Sequence, residues 1–415
     1  RVGACTDCRR FWARYRADEI DAAEIAEVND RLAPSAGTCS VMGTASTMAL
    51  AVEALGMMLP GGAAIPAVLS ERLRHAEATG AAAVRLARDG ITPDRIMTER
   101  AFENALRVLL ATGGSTNGII HLTAMAGRLG IRIDLEGFDR MGRETPVLVD
   151  LKPSGRHYME DLHDAGGLAA ILRELKPLLH LDCPTVAGTT LGEAIDAAPG
   201  PWPQDVVRTL ENPIHPEGGM AFLRGTLAPG GAIVKQSAAS ARLMRHTGRA
   251  VVFAGAADLA ARIDDPDLDV TADDILVLQN IGPKGAPGMP EAGYLPIPRK
   301  LARQGVTDMV RISDGRMSGT ASGTIVLHVT PESASGGPLA LVRTGDRIRL
   351  DVPARRIGLL VGEAELAART PVPVPHAPPD RGYRKLYLDS VLQADEGCDF
   401  DFLRPAPTRT IPPRS

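Results

Sequence analysis

Apolar residues recur at helical spacing through the first half of the chain and in short strand-like runs through the second. Residues Asp18 to Arg31 read as a helix, followed by a loop over Ala33 to Ser40. Met42 to Met58 reads as a helix of small residues, in which Thr44, Ala45, Thr47, Ala49, Ala51 and Ala54 let neighbours approach closely. Ser70 to Asp89 reads as another, stopped by Gly90. Thr98 to Ala111 is a third and Thr116 to Leu129 a fourth, with Gly130 as its C-cap. The short apolar run Val147 to Leu151 reads as a strand. From Leu181 to Gly219 the chain is Pro-rich and without period, which predicts a linker or domain junction.

Beyond it the texture changes. The runs beginning at Gly230, Ala250, Ile275, Met309, Gly323, Asp346 and Arg356 are short, apolar and split by Gly, Pro and Asp. Many short strands with turn signals predict a β-barrel or sandwich-like domain. The fold class expected is therefore α/β: a helix-rich α/β N-terminal domain and a β-barrel-like C-terminal domain. A Pro-rich tail follows Ala367, with a helix over Tyr383 to Leu392.

Length and charge narrow the function. The chain has 415 residues, enough for two or three domains. It is 44% hydrophobic and 23% charged, and no apolar run approaches the length that crosses a bilayer. A net charge of −4 leaves no basic excess, which argues against nucleic acid as a partner. The five cysteines, Cys5, Cys8, Cys39, Cys183 and Cys398, are odd in number and unevenly spread. That is no secreted disulfide framework, and it points to a reducing cytoplasm. The first residue is Arg1 rather than Met, so the chain reads as a fragment or a processed product.

The candidate chemistry lies in Gly-rich loops. Glu291 sits in Gly285-Ala-Pro-Gly-Met-Pro-Glu-Ala-Gly293, which cannot be helical. Ser318 sits in Asp314-Gly-Arg-Met-Ser-Gly-Thr320, after a strand expected over Asp308 to Ser313. A carboxylate and a hydroxyl held in rigid loops suit a hard cation and a proton-transfer group. A turn serine bonding its own backbone, and a loop glutamate facing water, explain the same residues. Cys39 lies in Gly37-Thr-Cys-Ser40 just before a helix, where backbone N–H groups favour a thiolate that ligates iron or attacks as a nucleophile. It also suits a small residue filling a tight turn. Cys5 and Cys8 form a Cys-x-x-Cys with no second pair to close a metal site. Gly113-Gly-Ser-Thr-Asn117 opens a helix, with Ser115 as its cap or the loop as an anion site.

Four ordered motifs together carry a resemblance: Gly37-Thr-Cys-Ser-Val-Met-Gly-Thr-Ala-Ser-Thr-Met48, Gly113-Gly-Ser-Thr-Asn117, Lys284-Gly-Ala-Pro-Gly-Met-Pro-Glu291 and Ser313-Asp-Gly-Arg-Met-Ser-Gly319. The chain resembles the dihydroxyacid and phosphogluconate dehydratase family over nearly its whole length. The stretch Cys5 to Trp12 and the ending Gly397-Cys-Asp-Phe-Asp-Phe-Leu403 look most like the sugar-acid (aldonate, pentonate) branch.

The resemblance implies a lyase that dehydrates a 2,3-dihydroxy sugar acid to a 2-keto-3-deoxy acid, using an iron–sulfur cluster, 2Fe-2S in this branch, and Mg²⁺. By match, Cys39 is a cluster ligand, Glu291 a Mg²⁺ ligand, Ser318 the base, and Thr320 a substrate-binding residue in the same pocket. It also implies a homodimer or homotetramer. The family's Cys-Asp-Lys motif and its other ligands lie upstream of Cys39, and nothing here matches them. The expectation is therefore a chain lacking its N-terminal part, with residues 1–200 the rest of the α/β domain, 201–370 the barrel-like domain and 371–415 a tail. Two other readings stay open: a dihydroxyacid dehydratase of branched-chain amino-acid synthesis, and a truncated, non-catalytic binding or assembly subunit.

Overall fold

A computed structural model describes residues 4–32, 36–37, 39–200, 203–405 and 409–410. The chain divides into two compact units. The first takes the described residues of 1–8, 30–219 and 405–415; the second takes 9–29 and 220–404. No helix among the described residues is long and apolar enough to cross a membrane.

The first unit is helical. Its helices include Thr44–Ala54, Ser70–Asp89, Glu99–Ala111 and Asn117–Gly127. Ser70–Asp89 ends where Gly90 turns left-handed at φ +63°, a conformation that costs glycine little. Glu99–Ala111 starts where the Thr98 hydroxyl accepts the Ala101 N–H at 3.3 Å, and its residues from Ala101 to Ala111 are all buried. Met42, Leu50, Val108, Leu148, Leu162 and Ile171 are among the residues of this core.

Two expectations are revised in this unit. The stretch 181–219, expected as a linker or domain junction, does end where the first unit gives way to the second, after Gly219, but it is not a bare linker: it carries the helix Leu191–Ala197, started by a reciprocal cap between Thr190 and Glu193. Its Val206 and Val207 are buried in the core, so burial rather than periodicity organises it. The run 147–151 forms isolated bridges through Val147, Val149 and Leu151 instead of a continuous strand. A helix over Ala4–Arg16, which the sequence pattern did not reveal, precedes Ala22–Asp30.

Among the described residues the strands are β1 (Ile131–Arg132), β2 (Ala221–Gly225), β3 (Ala228–Val234), β4 (Arg245–Phe253), β5 (Ile275–Leu278), β6 (Arg311–Ser313), β7 (Ile325–Thr330), β8 (Arg347–Asp351), β9 (Arg356–Leu359) and β10 (Arg409–Thr410). β1 and β10 pair in parallel within the first unit.

The other eight close the barrel expected from the sequence, in the order β2-β3-β7-β6-β5-β4-β8-β9. One face of every barrel strand feeds a single core: Leu223, Val234, Ala250, Val277, Ile312, Val326, Ile348 and Ile357 all belong to it. Closure needs a glycine where β2 meets β9. A Cβ on Gly225 would sit 1.9 Å from the Ile357 carbonyl oxygen. The β5–β6–β7 strands run parallel, so the segment after β6 must cross back before β7 begins. That crossing segment, Asp314 to Thr324, carries Ser318.

Candidate active site

The Ser318 segment is built from its anchors upward. Asp314 is fully buried; its carboxylate accepts the N–H groups of Ile281 at 2.9 Å and Ser333 at 2.8 Å. Burial pushes this carboxyl above its ordinary value, against those two bonds. At the far end Asp308 accepts the Thr324 N–H at 3.0 Å and the Thr324 hydroxyl at 2.7 Å. Between these anchors the Ser318 and Thr320 hydroxyl oxygens lie 2.8 Å apart. Thr320 is buried and Ser318 half-buried. The Thr320 N–H reaches the Ser318 oxygen only at 3.4 Å, so the local turn bond is weak and the hydroxyl pair is the stronger contact.

The Glu291 loop is locked to this segment. Gly293 N–H donates to the Arg316 carbonyl at 2.8 Å, and Arg316 Nε donates to the Met289 carbonyl at 2.5 Å. Arg316 is thereby a strut between two loops. Glu332, 1% exposed, fixes the start of the Glu291 loop by accepting the N–H groups of Lys284 at 3.0 Å and Gly285 at 2.9 Å. Burial raises its carboxyl as well, with Asp314 adding to the effect. Glu291 itself is exposed at the loop surface. The structure thus brings Glu291, Ser318 and Thr320 into one hydrogen-bonded pair of loops. A carboxylate displayed on rigid backbone beside a hydroxyl pair can bind a cation and move a proton.

In the first unit, Cys39 precedes Gly43, the N-cap of Thr44–Ala54. Residues 33–35 and Thr38 of its loop lie outside the described residues. The Val41 N–H favours the Cys39 thiolate, as expected of this loop, but other contacts outweigh it. A hydrogen bond with the Cys5 thiol, then burial, pushes the Cys39 thiol far above its ordinary value. Cys39 stands too far ahead of the helix for its N-terminal N–H groups to offset this.

The Gly113 to Asn117 motif is knotted inward. Ser115 Oγ accepts the Asn117 N–H at 3.2 Å and lies 2.9 Å from Thr44 Oγ1, while the Ser115 N–H donates to Thr47 Oγ1 at 2.9 Å. The N-cap is Thr116, which makes no side-chain cap bond; Ser115, one residue earlier than a cap, accepts the first helical N–H instead.

Cys39 offers a soft donor suited to iron, and Glu291 a hard one suited to Mg²⁺. Among the described residues, however, no three His, Cys, Asp or Glu side chains gather to hold a metal ion. Neither ligand set is completed by them.

Sequence reasoning missed Asp308, Glu332 and Lys235. The first two act across long sequence separations that no local pattern carries. Lys235 did leave a signal: it is an ionisable residue ending the apolar run Ala232-Ile-Val.

Comparison with known proteins completes the picture. Residues 2–194 match the dihydroxy-acid/6-phosphogluconate dehydratase N-terminal domain, and residues 205–398 match the C-terminal domain of the same description. The chain is 48% identical over 407 residues to the L-arabinonate dehydratase of Rhizobium leguminosarum bv. trifolii (strain WSM2304), covering 97% of this chain and 70% of that protein. It is 45% identical over 417 residues to the 6-deoxy-6-sulfo-D-gluconate dehydratase of Pseudomonas putida, covering 100% and 72%. It is 41% identical over 384 residues to the dihydroxy-acid dehydratase of Ignicoccus hospitalis (strain KIN4/I / DSM 18386 / JCM 14125), covering 91% and 68%.

Proposed function

The chain belongs to the dihydroxy-acid/6-phosphogluconate dehydratase family and is a dehydratase, a hydro-lyase; from that premise we propose that it removes water from a 2,3-dihydroxy sugar acid to give a 2-keto-3-deoxy acid. The observation that carries the chemistry is the Ser318–Thr320 hydroxyl pair, held in a segment anchored at both ends and strutted to the Glu291 loop. The choice of a sugar acid rests on the higher identity to the L-arabinonate and sulfogluconate enzymes than to the dihydroxy-acid enzyme.

In this reading Ser318, as alkoxide, removes the C2 proton of the substrate, and Thr320 holds the serine oxygen in place through their 2.8 Å contact. The struts from Arg316 and Gly293 keep that oxygen from drifting, which matters because proton transfer is sensitive to displacements on the order of 1 Å. Cys39 is one ligand of an iron–sulfur cluster, 2Fe-2S in type, and Glu291 one ligand of Mg²⁺. When bound, these groups supply Lewis acidity at the departing C3 hydroxyl and at the substrate carboxylate. The described residues would provide one ligand for each.

The test is a substrate panel with the holoenzyme prepared without oxygen. L-Arabinonate, D-gluconate, 6-deoxy-6-sulfo-D-gluconate and a branched 2,3-dihydroxy acid are each assayed for keto acid as the semicarbazone. Turnover of a sugar acid with kcat/KM at least tenfold above the branched acid is expected. The reverse order would identify a branched-chain dihydroxy-acid enzyme, and no turnover of any would refute the reading.

A further inference from the structure

A serine hydroxyl is far too weakly acidic to be a base at neutral pH unless something takes its proton. The Ser318–Thr320 pair contains two hydroxyls and no base. Lys235 is 1% exposed, and its Nζ has no hydrogen-bond partner. An unpaired buried amine is costly to keep, which marks it as a group held for use.

The barrel register gives its placement. Val234 of β3 pairs with Val326 of β7, and both belong to the barrel core. Lys235 is the first residue after β3, and carrying the alternation one position past the strand end turns it to the opposite face, level with Ile325. Ile325 and Leu327 on that face pack with Met317 and Ala321, the residues that bracket Ser318 and Thr320. The chain after Lys235 is tied to the same segment. Gly323 N–H donates to the Ala238 carbonyl at 2.8 Å, and Ser240 N–H donates to Thr324 Oγ1 at 3.0 Å.

The geometry points to Lys235 as the proton acceptor for the Ser318–Thr320 hydroxyl pair, its amine poised without a bond in this structure and reaching the pair when substrate binding draws the segment together. This rests on the dehydratase reading above and deepens it. The Ser318 proton passes to the Lys235 amine, leaving an alkoxide and an ammonium. The alkoxide takes the C2 proton, and the C2–H electron pair becomes the C2–C3 double bond as the C3–O bond breaks. The ammonium proton returns through the hydroxyl pair to the departing oxygen, which leaves as water. The enol then becomes the keto acid, and both side chains are restored.

The amine suits this role at neutral pH, because burial alone brings it down to about 7. The other charged or titratable groups of β2, β6, β7 and the crossing segment are Arg224, Arg311, Asp314, Arg316 and His328. Arg311 is paired with Asp308 at 2.7 Å. Asp314 accepts two backbone N–H groups, and Arg316 donates to Met289.

The test follows the side-chain carbon resonance of Lys235 by NMR in lysine-labelled protein. There are six lysines, so K235R assigns it. Titration near pH 7 that moves by half a unit or more in S318A is expected. Titration above pH 9, or a midpoint that S318A leaves unmoved, overturns the proposal. In the holoenzyme, K235M and K235R should each lower kcat at least 100-fold and abolish an acid limb near pH 7, with KM changed less than threefold. Retention of kcat within threefold in a folded variant also overturns it. If the wild-type protein dehydrates no sugar acid, the function proposed above fails, while the comparison of wild type with S318A still decides whether Lys235 exchanges protons with the pair.

Discussion

Replacing Asp308 with alanine should destabilise the barrel by about 3–5 kcal/mol, because it strands a buried charge. Asp308 is 5% exposed and Arg311 1% exposed. Arg311 Nη2 donates to the Asp308 carboxylate at 2.7 Å; the guanidinium also donates to the carbonyls of Leu295 at 3.0 Å and Met309 at 3.3 Å and lies 5.4 Å from the centre of the Tyr294 ring. Without Asp308 the guanidinium keeps its charge among neutral carbonyls. The Thr324 N–H and the Ser240 hydroxyl, the latter now 2.6 Å from the carboxylate, lose their acceptor as well. Each such loss costs about 1–3 kcal/mol alone, but these do not add fully to the charge penalty.

Urea denaturation followed by circular dichroism measures the change. A second variant makes the reasoning sharp. D308A/R311M removes both charges and should be more stable than D308A alone, since an apolar replacement of a buried pair is often near neutral. A D308A cost below about 1 kcal/mol, or a double variant less stable than D308A, would refute the argument. The pH dependence has a definite sign. Burial works to raise the Asp308 carboxyl, but Arg311, Ser240 and Thr324 outweigh it and hold it below its ordinary 3.8. Its contribution is therefore present above about pH 3.8 and is lost as pH falls through the lower folded value.

Glu53 has the opposite sign. It accepts the N–H groups of Gly61 and Ala63 at 2.7 Å each, and burial raises its carboxyl from 4.5 to about 7. Stability of the first unit should fall by about 3 kcal/mol as pH rises from 4.5 through 7, and E53Q should flatten that slope in pH-dependent urea titrations; an unchanged slope counts against it. For Cys39, the C39S variant purified without oxygen should retain less than a tenth of wild-type iron and sulfide with its urea midpoint unmoved. Equal iron content would exclude Cys39 as a ligand.

The elements most legible in the sequence are those with local signals. Ser70–Asp89 was readable to the residue because Gly90 marks its end. The barrel was readable because its apolar runs are separated by Gly, Pro and Asp. β2 was missed: it is a short Ala-Phe-Leu-Arg-Gly run whose partners, β3 and β9, include one far along the chain. The helix Leu191–Ala197 had a readable Thr-x-x-Glu cap, obscured by the prolines around it.

At the site, the loop settings of Glu291 and Ser318 were legible from Gly and Pro alone. Their union was not, because it depends on Arg316 and Gly293 bridging two loops and on Asp314 and Glu332 accepting from distant backbone. The Cys5 thiol beside Cys39 was not legible for the same reason: that contact is tertiary.

The central claim is that Ser318 removes the C2 proton of a sugar acid. The most direct measurement supplies C2-deuterated L-arabinonate to the wild-type holoenzyme and to S318A, and follows deuterium in solvent and keto acid together. The account predicts one deuterium released per keto acid formed by the wild type, and a loss of at least 1000-fold in both for S318A with cluster content intact. Keto acid formed with its deuterium retained, or S318A turning over within tenfold of wild type, would contradict it.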